Sequence, residues 1–425
     1  MKFRRVLLVL AVCLCLTTIC VSAQAGVSEY KGKTRVTMGS FGTVSSLCIY
    51  DDFSQDGALE KYDAVWSEIK TILEQLDLLL STSIETSEIA RFNALESGGE
   101  MHISSETAEV FQLARQMYEK TNGRFDPTVF PLVDLWGFSP RFTFGSDEQM
   151  PYDRPWENGT RALPDDKYIS GFMQLVNMDG IALIGDEQQG YTLKKNTPSV
   201  MIDGIAYHAR IDLGGIAKGY AVDRIARLLE ERGYAYGYFS CGFSSIRLLK
   251  NASYSAQKNG EASFELQVRI PRETAENKDA YAMIRVMDQS LSSSGDYDNN
   301  YMSGGNLCCH IIDTRTGYPV NFNQDGVQGG ISTVTLLSGS AVEDDALTTA
   351  LCLMGVHDAI AYVNENLRDH SVAMVLYRAD KDFYEVVTNI PESGLQIFDG
   401  AYRLASRMDE QGRIVYTGTL FKDAL

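Results

Sequence analysis

The chain has little positive charge and few of the residues that form metal clusters or disulfide frameworks. Its 425 residues carry 38 Lys and Arg against 56 Asp and Glu, which gives a formal net charge of −18 at pH 7. A surface this acidic repels nucleic acid and anionic lipid, so no nucleic-acid partner is expected. The sequence has eight Cys, none of them in a CxxC pair, and only five His. We predict that the Cys beyond the N-terminal segment are small buried hydrophobic residues: Cys48, Cys241, Cys308, Cys309 and Cys352.

The N-terminal segment has the features of a secretory signal peptide. Met1 to Arg5 is basic, an apolar run extends from Val6 to about Val21, and Ala23-Gln24-Ala25 offers a cleavage site. We therefore predict a signal peptide over residues 1–25 and an exported, extracytoplasmic protein, in the periplasm or on the outer face of the cell membrane. An uncleaved N-terminal membrane anchor is the alternative.

Hydrophobic periodicity predicts an α+β fold. An amphipathic helix is expected from Leu59 to Leu80, and a second helix between an N-cap at Ser105 and a stop at Gly123. The second half alternates with period two, which predicts mostly antiparallel strands with packed helices. Residues 139–163 lack any period and are expected to form a long surface loop. We predict one domain over residues 26–425, with a loop insertion near 139–163 and the site in a central cleft.

The run from Ile211 to Asp223 predicts an apolar strand, a glycine turn and the start of a helix. Gly214, Gly215 and Gly219 allow main-chain N–H groups to approach an anion, and Lys218 adds a positive charge. The spacing matches neither the P-loop nor the Rossmann fingerprint. A glycine turn that merely starts a helix is an equal alternative.

A second candidate segment extends from Ala341 to Gly355. Leu347, Leu351 and Met354 form one helical stripe, whereas Asp345 and Thr349 share another face one turn apart. A carboxylate and a hydroxyl in this arrangement suit a hard cation, Mg²⁺ first and Ca²⁺ second. An ordinary helix start, with Asp345 near the positive end of the dipole, is the other interpretation.

Two further segments contain polar residues that suit chemistry. His310 follows a predicted strand and precedes a tight turn, which makes it a candidate acid or base, although a lone His is more often structural. Ser294 and Asp296 follow another apolar strand, where they either bind a polar ligand or turn the chain.

Together these segments resemble the ApbE-type FAD:protein FMN transferases, a family of flavin transferases. The likeness covers nearly the whole mature chain. The motifs that carry it occur in the family's order: Met38–Ser40, Leu80–Thr82, Ser87–Asn93, Gly123–Thr128, Leu135–Phe138, Asp212–Tyr220, Ser294–Asp296, His310–Asp313 and Asp345–Thr349.

The resemblance implies a Mg²⁺-dependent enzyme, with Ca²⁺ or Mn²⁺ as alternative metals. Such an enzyme splits FAD and moves FMN onto a Thr or Ser hydroxyl of an electron-transfer protein with a Ser-Gly-Ala-Thr-like site, releasing AMP. It implies metal ligands at Ala217 (through its carbonyl), Asp345 and Thr349, and catalytic roles for His310, Lys218 and Asp345. It implies FAD contacts at Met38, Ser81, Asn93, Asp126, Thr128, Gly214, Gly215, Lys218, Ser294 and Asp296.

The chain departs from the family pattern at two places. Ser83 stands where many members have Tyr, and Phe243 interrupts the usual Gly-Gly pair, so Phe243 either narrows the site or supplies a stacking surface. Two other functions stay open: a Mg²⁺-dependent FAD pyrophosphatase that gives FMN and AMP, and a non-catalytic extracytoplasmic flavin-binding protein.

Overall fold

A computed structural model describes residues 32–144, 148–154, 156–157, 160–250, 263–271, 279–297, 299–322, 329–378 and 381–418. The predicted signal peptide, residues 1–25, lies outside these ranges. Within them, no helix combines the length and the apolar character needed to cross a membrane.

The described residues form nine α-helices. In order they are α1 (Ala58–Leu80), α2 (Glu88–Asn93), α3 (Ser105–Lys120), α4 (Phe130–Leu135), α5 (Pro140–Phe144), α6 (Asp166–Met173), α7 (Gly214–Glu231), α8 (Ala341–Cys352) and α9 (Val356–Asn366). Short 3₁₀ turns cover Ser40–Gly42, Pro127–Val129 and Met178–Gly180.

The strands are short and mostly antiparallel. They are β1 (Gly32–Met38), β2 (Val44–Tyr50), β3 (Glu100–Ile103), β4 (Trp156–Glu157), β5 (Thr160–Arg161), β6 (Ile181–Asp186), β7 (Gly190–Lys195), β8 (Val200–Ile202), β9 (Ile205–Tyr207), β10 (Gly237–Cys241), β11 (Ser245–Leu248), β12 (Phe264–Arg269), β13 (Ala280–Val286), β14 (Ser290–Gly295), β15 (Asn300–Ser303), β16 (Asn306–Cys309), β17 (Ile312–Asp313), β18 (Tyr318–Pro319), β19 (Gly329–Ser338), β20 (Ser371–Arg378), β21 (Tyr384–Thr388), β22 (Leu395–Ile397), β23 (Tyr402–Leu404), β24 (Ser406–Met408) and β25 (Ile414–Tyr416).

A nine-stranded sheet in the order β1-β2-β10-β11-β14-β19-β20-β21-β23 forms the centre of the fold. One face packs on α1, α3, α7, α8 and α9 through a large apolar core that includes Leu47, Phe239 and Leu336. The opposite face packs on a small sheet of β12, β13 and β22, through a core that includes Tyr238 and Ile246. The predicted α+β class with mostly antiparallel strands is therefore confirmed.

Several element predictions need correction. The second predicted helix is capped by Ser104, whose side chain accepts the Thr107 N–H, rather than by Ser105. Residues 211–213 form no strand, and α7 begins directly at Gly214. The N–H of Ile211 is not left unpaired, because it donates to the Asn93 side chain at 2.8 Å.

The segment 139–163 is not a plain surface loop where the structure describes it. It contains α5 and the short pair β4 and β5, and Tyr152 and Arg161 are buried. The Tyr152 hydroxyl donates to the buried Asp134 carboxylate at 2.6 Å, which ties the segment to α4. The segment packs on the rest of the fold because the Tyr152 ring is buried and the Asp134 carboxylate accepts its hydrogen bond. The polar composition of residues 139–163 did not indicate this packing.

The cysteine prediction is confirmed. All five Cys of the described residues are free and buried. Burial also raises the pKa of the Cys241 thiol to about 11, so this side chain stays protonated at neutral pH.

Candidate active site

One large cavity of about 1140 Å³ opens beside the ends of β10, β11 and β14. On the helical side of the nine-stranded sheet it is lined by polar residues of α7 and α8. On the other side it extends between the sheet and β12, where Ile246 and Leu266 line it. The cavity therefore has a polar end and a more apolar end. Eight of the predicted site residues line it: Asp126, Gly214, Gly215, Lys218, Ser294, His310, Asp345 and Thr349.

The start of α7 is fixed by side chains on either side of the chain. Asn93 holds the main chain of Ile211 by two hydrogen bonds, because its amide donates to the Ile211 carbonyl and accepts from the Ile211 N–H, both at 2.8 Å. The Asp212 carboxylate then accepts the Gly214 N–H at 2.8 Å. These bonds present Gly214, Gly215 and Lys218 to the cavity at the positive end of the helix dipole.

Gly219 has a role that the sequence did not reveal. A Cβ atom at this position would lie 2.2 Å from the Ala341 carbonyl oxygen, so only glycine lets α7 approach α8 this closely. Its N–H donates to Asp345 Oδ2 at 3.0 Å. In the structure, the main-chain N–H of Gly219 therefore contacts the carboxylate of Asp345, which belongs to the second candidate segment.

Asp345 lies at the junction of the two segments. It is 3% exposed, and its Oδ1 accepts a hydrogen bond from the Ser245 hydroxyl at 3.0 Å. Lys218 Nζ lies 3.7 Å from Oδ2. Asp345 therefore connects the first turns of α7, through Gly219 and Lys218, with β11, through Ser245.

Hydroxyl groups complete this polar end. Thr349 Oγ1 donates to the Asp345 main-chain carbonyl at 3.4 Å, as expected for residues one turn apart. Ser294 Oγ lies 3.3 Å from Thr349 Oγ1 and 2.8 Å from Thr348 Oγ1. Asp345 and Thr349 both line the cavity, and Ser294 lies beside Thr349.

The donor set at this end fits a hard cation that is also bound by substrate. The described residues contain no group of three or more His, Cys, Asp or Glu side chains that would enclose a metal ion. Mg²⁺ is typically bound through one or two carboxylates together with substrate phosphates and water. Asp345 and the Thr349 hydroxyl match that pattern, whereas Cys and Met, the soft-metal ligands, are lacking among the lining residues.

Asp126 reaches the cavity from the turn before α4. Its Oδ1 accepts the Thr128 N–H at 2.8 Å and the Thr128 hydroxyl at 2.6 Å. Burial raises the pKa of Asp126, and the bonds from Thr128 partly oppose this effect. The Asp212 N–H donates to the Pro127 carbonyl at 2.7 Å, so this turn and the start of α7 form one unit.

His310 lines the cavity in the short connection between β16 and β17. Close by, burial raises the pKa of Asp313 to about 6, and the positive charge of Arg124 opposes the rise. Arg124 and Lys218 line the same cavity as His310, so the site contains cationic side chains.

The remaining predicted residues do not line the cavity. Asn93 and Thr128 orient the residues that do, as described above. Ala217 is buried in the first turns of α7, and Met38 is 55% exposed at the end of β1. Ser81 contacts the hydroxyl of Ser83 at 2.9 Å.

Asp296 likewise does not line the cavity, although its neighbours Gly295 and Tyr297 do. It is 1% exposed. Its carboxylate accepts hydrogen bonds from Ser332 at 2.8 Å and Asn321 at 3.0 Å. The Asp296 carboxylate is therefore engaged by other residues of the protein, whereas Ser294 belongs to β14 and lines the cavity.

Sequence reasoning missed several lining or supporting residues. Ser245 contacts Asp345 directly, and Asp212, Arg124, Thr82 and Phe41 line the cavity. Most of them lie within sequence motifs that were already selected as candidates, so their position in those motifs could have identified them. No sequence pattern marked Ser245, because its contact with Asp345 joins positions 100 residues apart.

Comparison with known proteins matches this architecture to one family. The model of the ApbE family matches residues 41–375. The chain is 28% identical over 359 residues to the FAD:protein FMN transferase of Escherichia coli (strain K12), covering 84% of this chain and 86% of the relative. It is 28% identical over 377 residues to the protein of that name from Haemophilus influenzae, covering 88% and 93%.

Solved structures show the same fold. Flavin Transferase ApbE from Vibrio cholerae superposes with a TM-score of 0.63 at 24% identity, covering 85% of this chain and 97% of that one. The apo form of Pseudomonas stutzeri flavinyl transferase ApbE gives a TM-score of 0.63 at 21% identity, covering 86% and 96%.

Proposed function

Because the chain belongs to the ApbE family, we propose that it transfers FMN from FAD to a Thr or Ser hydroxyl of an acceptor protein and releases AMP. The observation that carries the proposal is the contact between the two candidate segments. Gly219 and Lys218 of α7 lie at 3.0 and 3.7 Å from the Asp345 carboxylate of α8. This contact supports a cation site beside a phosphate-binding helix start.

The cavity suits a ligand of the size and polarity of FAD. Its volume of about 1140 Å³ exceeds the range of about 300–1000 Å³ typical of sites for drug-sized ligands. The polar end offers Lys218 and the start of α7 to a pyrophosphate. The end between the two sheets offers apolar side chains to a planar ring.

We propose Mg²⁺ as the metal, held by Asp345, Thr349 and the Ala217 carbonyl, with Ca²⁺ or Mn²⁺ as alternatives. A bound divalent cation would neutralise charge on the pyrophosphate and lower the barrier to its cleavage. Only one of the three proposed ligands, Asp345, is a carboxylate, so the phosphate oxygens of FAD would complete the coordination and metal affinity would depend on FAD.

Different side chains then contribute to different parts of the reaction. The acceptor hydroxyl oxygen attacks the phosphorus on the FMN side, a P–O bond forms, and the bond from that phosphorus to the bridging oxygen breaks. His310 takes the hydroxyl proton as the general base. Lys218 stabilises negative charge on the phosphate oxygens and on the departing AMP.

Two other outcomes follow from the same site. If water replaces the acceptor hydroxyl, FAD is hydrolysed to FMN and AMP. If neither reaction occurs, the protein is a flavin-binding protein. We favour transfer because this is the activity by which the relatives are named.

The acceptor is proposed to be an exported or membrane-bound electron-transfer protein with a Ser-Gly-Ala-Thr-like site. This location rests on the basic and apolar N-terminal sequence, which predicts export. The acidic surface makes nucleic acid an unsuitable partner.

The test is incubation of the protein with FAD, Mg²⁺ and a domain that contains a Ser-Gly-Ala-Thr acceptor. We expect the acceptor mass to increase by one FMN group with an equal amount of AMP released. AMP and free FMN without an adduct would establish the hydrolase instead, and intact FAD would reject both reactions.

A further inference from the structure

Phe243 is an exposed aromatic residue for which the fold itself gives no reason. Its side chain is 58% exposed, and Phe243 belongs to none of the three hydrophobic clusters formed by the described residues. Single exposed apolar residues are common on surfaces, but this one lines the cavity. Its position in the turn between β10 and β11 therefore calls for a functional explanation.

The turn that carries Phe243 is firmly held. Gly242 has a φ of 70°, and its N–H donates to the Val44 carbonyl at 2.8 Å, which extends the pairing of β10 with β2. The Ser293 N–H donates to the Ser244 carbonyl at 2.8 Å on the other side. The backbone on both sides of Phe243 is thus fixed, so the ring is presented at a defined place.

A second aromatic side chain comes from the neighbouring turn. Phe41 also lines the cavity, and a Cβ atom added to Gly242 would lie 3.0 Å from Thr43, so the two turns are in contact. Phe41 has a φ of 55°, which is unusual for an aromatic residue. Its N–H donates to the Asp77 carboxyl, which holds the turn in this conformation. Backbone strain of this kind is concentrated at functional sites.

The polar end of the site lies within reach of Phe243. Ser245, only two residues after Phe243, donates its hydroxyl to Asp345. Two residues span at most about 7 Å between Cα atoms. A planar ring beside Phe243 can therefore belong to the same molecule as a phosphate beside Lys218 and Asp345.

We propose that Phe243, with Phe41, contacts the isoalloxazine ring of FAD and is a specificity-determining residue for the flavin half of the substrate. This inference rests on the proposed function. The cavity lining around Phe243 combines the apolar side chains of Val44 and Ile246 with the hydroxyls of Thr43 and Ser244. The isoalloxazine ring likewise has an apolar dimethylbenzene half and a hydrogen-bonding half, whereas adenine has hydrogen-bonding groups around its edges. The flavin is accordingly the better match of the two rings.

The proposal is tested by measuring the dissociation constants of FAD, FMN and AMP for the wild type and for Phe243→Ala. FAD and FMN binding is followed by flavin fluorescence, and AMP binding by calorimetry. Loss of aromatic stacking is expected to weaken FAD and FMN binding about 5- to 30-fold. AMP binding should change less than about twofold, and Phe243→Tyr should restore FAD and FMN binding.

Phe398→Ala is the matched control, because Phe398 is 49% exposed and is not among the residues that line the cavity. Weakened AMP binding with unchanged FMN binding would overturn the assignment in favour of adenine. Unchanged binding of all three ligands, or an equal loss in Phe398→Ala, would overturn any ring contact at Phe243. A changed KM for the acceptor alone would identify Phe243 as an acceptor contact and also reject the proposal.

Failure of this inference can be told apart from failure of the proposed function. A wild-type protein that binds FAD and FMN but modifies no acceptor would reject the transferase and leave the ring contact intact. An active transferase whose Phe243→Ala variant binds FMN normally would reject only the ring contact.

Discussion

Replacement of Asp345 by Asn is the most informative single perturbation of this site. The change keeps the volume of the side chain but removes its negative charge and one acceptor oxygen. In the wild type, Oδ1 accepts from Ser245 and Oδ2 accepts from Gly219, both at 3.0 Å. The Asn amide can accept from only one of these donors, so it leaves the other unsatisfied in a nearly dry environment.

The effect of Asp345→Asn on the free energy of unfolding should be small, because only one hydrogen bond to this side chain is lost. An unsatisfied buried donor costs about 1–3 kcal/mol, against a total stability of about 5–15 kcal/mol for an ordinary domain. The variant is therefore expected to fold, which unfolding by urea would check. Asp345→Ala is less suitable, because it would leave both donors without a partner.

The effect on catalysis is expected to be much larger. Loss of a charged metal ligand, and of the carboxylate 3.7 Å from Lys218, removes stabilisation of about 3–4 kcal/mol from the transition state. Each 1.36 kcal/mol corresponds to a factor of ten, so AMP release should fall about 10²- to 10³-fold. The assay measures AMP release from FAD over a series of Mg²⁺ concentrations.

Asp179→Asn provides the control, because the Asp179 side chain is 87% exposed and therefore far more hydrated than the buried side chain of Asp345. It should match the wild type at every Mg²⁺ concentration. If Asp345→Asn kept more than half of the wild-type rate with an unchanged Mg²⁺ dependence, Asp345 would not be a metal ligand and the proposed site would be wrong.

Three further predictions concern the base, the pH dependence and the helix contact. His310→Ala should lower AMP release about 10²- to 10⁴-fold while the fluorescence-measured Kd for FAD changes less than about threefold, and a large loss of FAD binding would make His310 a structural residue instead. Burial lowers the pKa of Lys195 to about 7, so the unfolded chain, in which Lys titrates near 10.4, binds more protons than the folded chain between those values. The urea midpoint of the wild type should therefore rise from pH 7 to pH 10 relative to Lys195→Met, and parallel profiles would contradict the buried position of the ammonium group. Gly219→Ala should destabilise the protein by several kcal/mol, because the new Cβ would meet the Ala341 carbonyl at 2.2 Å, whereas Gly339→Ala, which has no atom within 4 Å, should change the urea midpoint little.

The sequence was most informative where a periodic pattern is directly related to burial. A stripe of apolar residues at helical spacing predicted α1, whose bounds are Ala58–Leu80, because every member of the stripe is buried: Tyr62, Val65, Trp66, Ile69, Leu73, Leu76 and Leu80. The stripe of Leu347, Leu351 and Met354 is buried in the same way. Composition was misleading around residues 139–163, because Asp and Arg side chains there form buried ion pairs instead of facing water. Arg141, for example, contacts Asp134 and Asp153 at 2.7 Å.

The site shows why local patterns gave the right segments but incomplete roles. Spacing placed Asp345 and Thr349 on one helical face, which the Thr349 bond to the Asp345 carbonyl reflects. Spacing could not place Ser245 next to Asp345, because that contact depends on how β11 packs beside α8. Asn93 was expected to touch FAD, yet its side chain is engaged with the main chain of Ile211 at 2.8 Å. From the sequence alone, a residue that orients a ligand-binding turn cannot be distinguished from a residue that binds the ligand.

Gly219 links these observations. As a residue of a glycine-rich run it suggested a main-chain approach to a phosphate, and in the structure its N–H contacts the Asp345 carboxylate at 3.0 Å. The same missing side chain allows α7 and α8 to touch at Ala341. Because the helix that carries Lys218 is packed directly on the helix that carries Asp345, a change in either helix shifts both groups together. The candidate cation site and the candidate phosphate site therefore form one unit, and variants of Gly219 should impair Mg²⁺ dependence and FAD cleavage in parallel rather than separately.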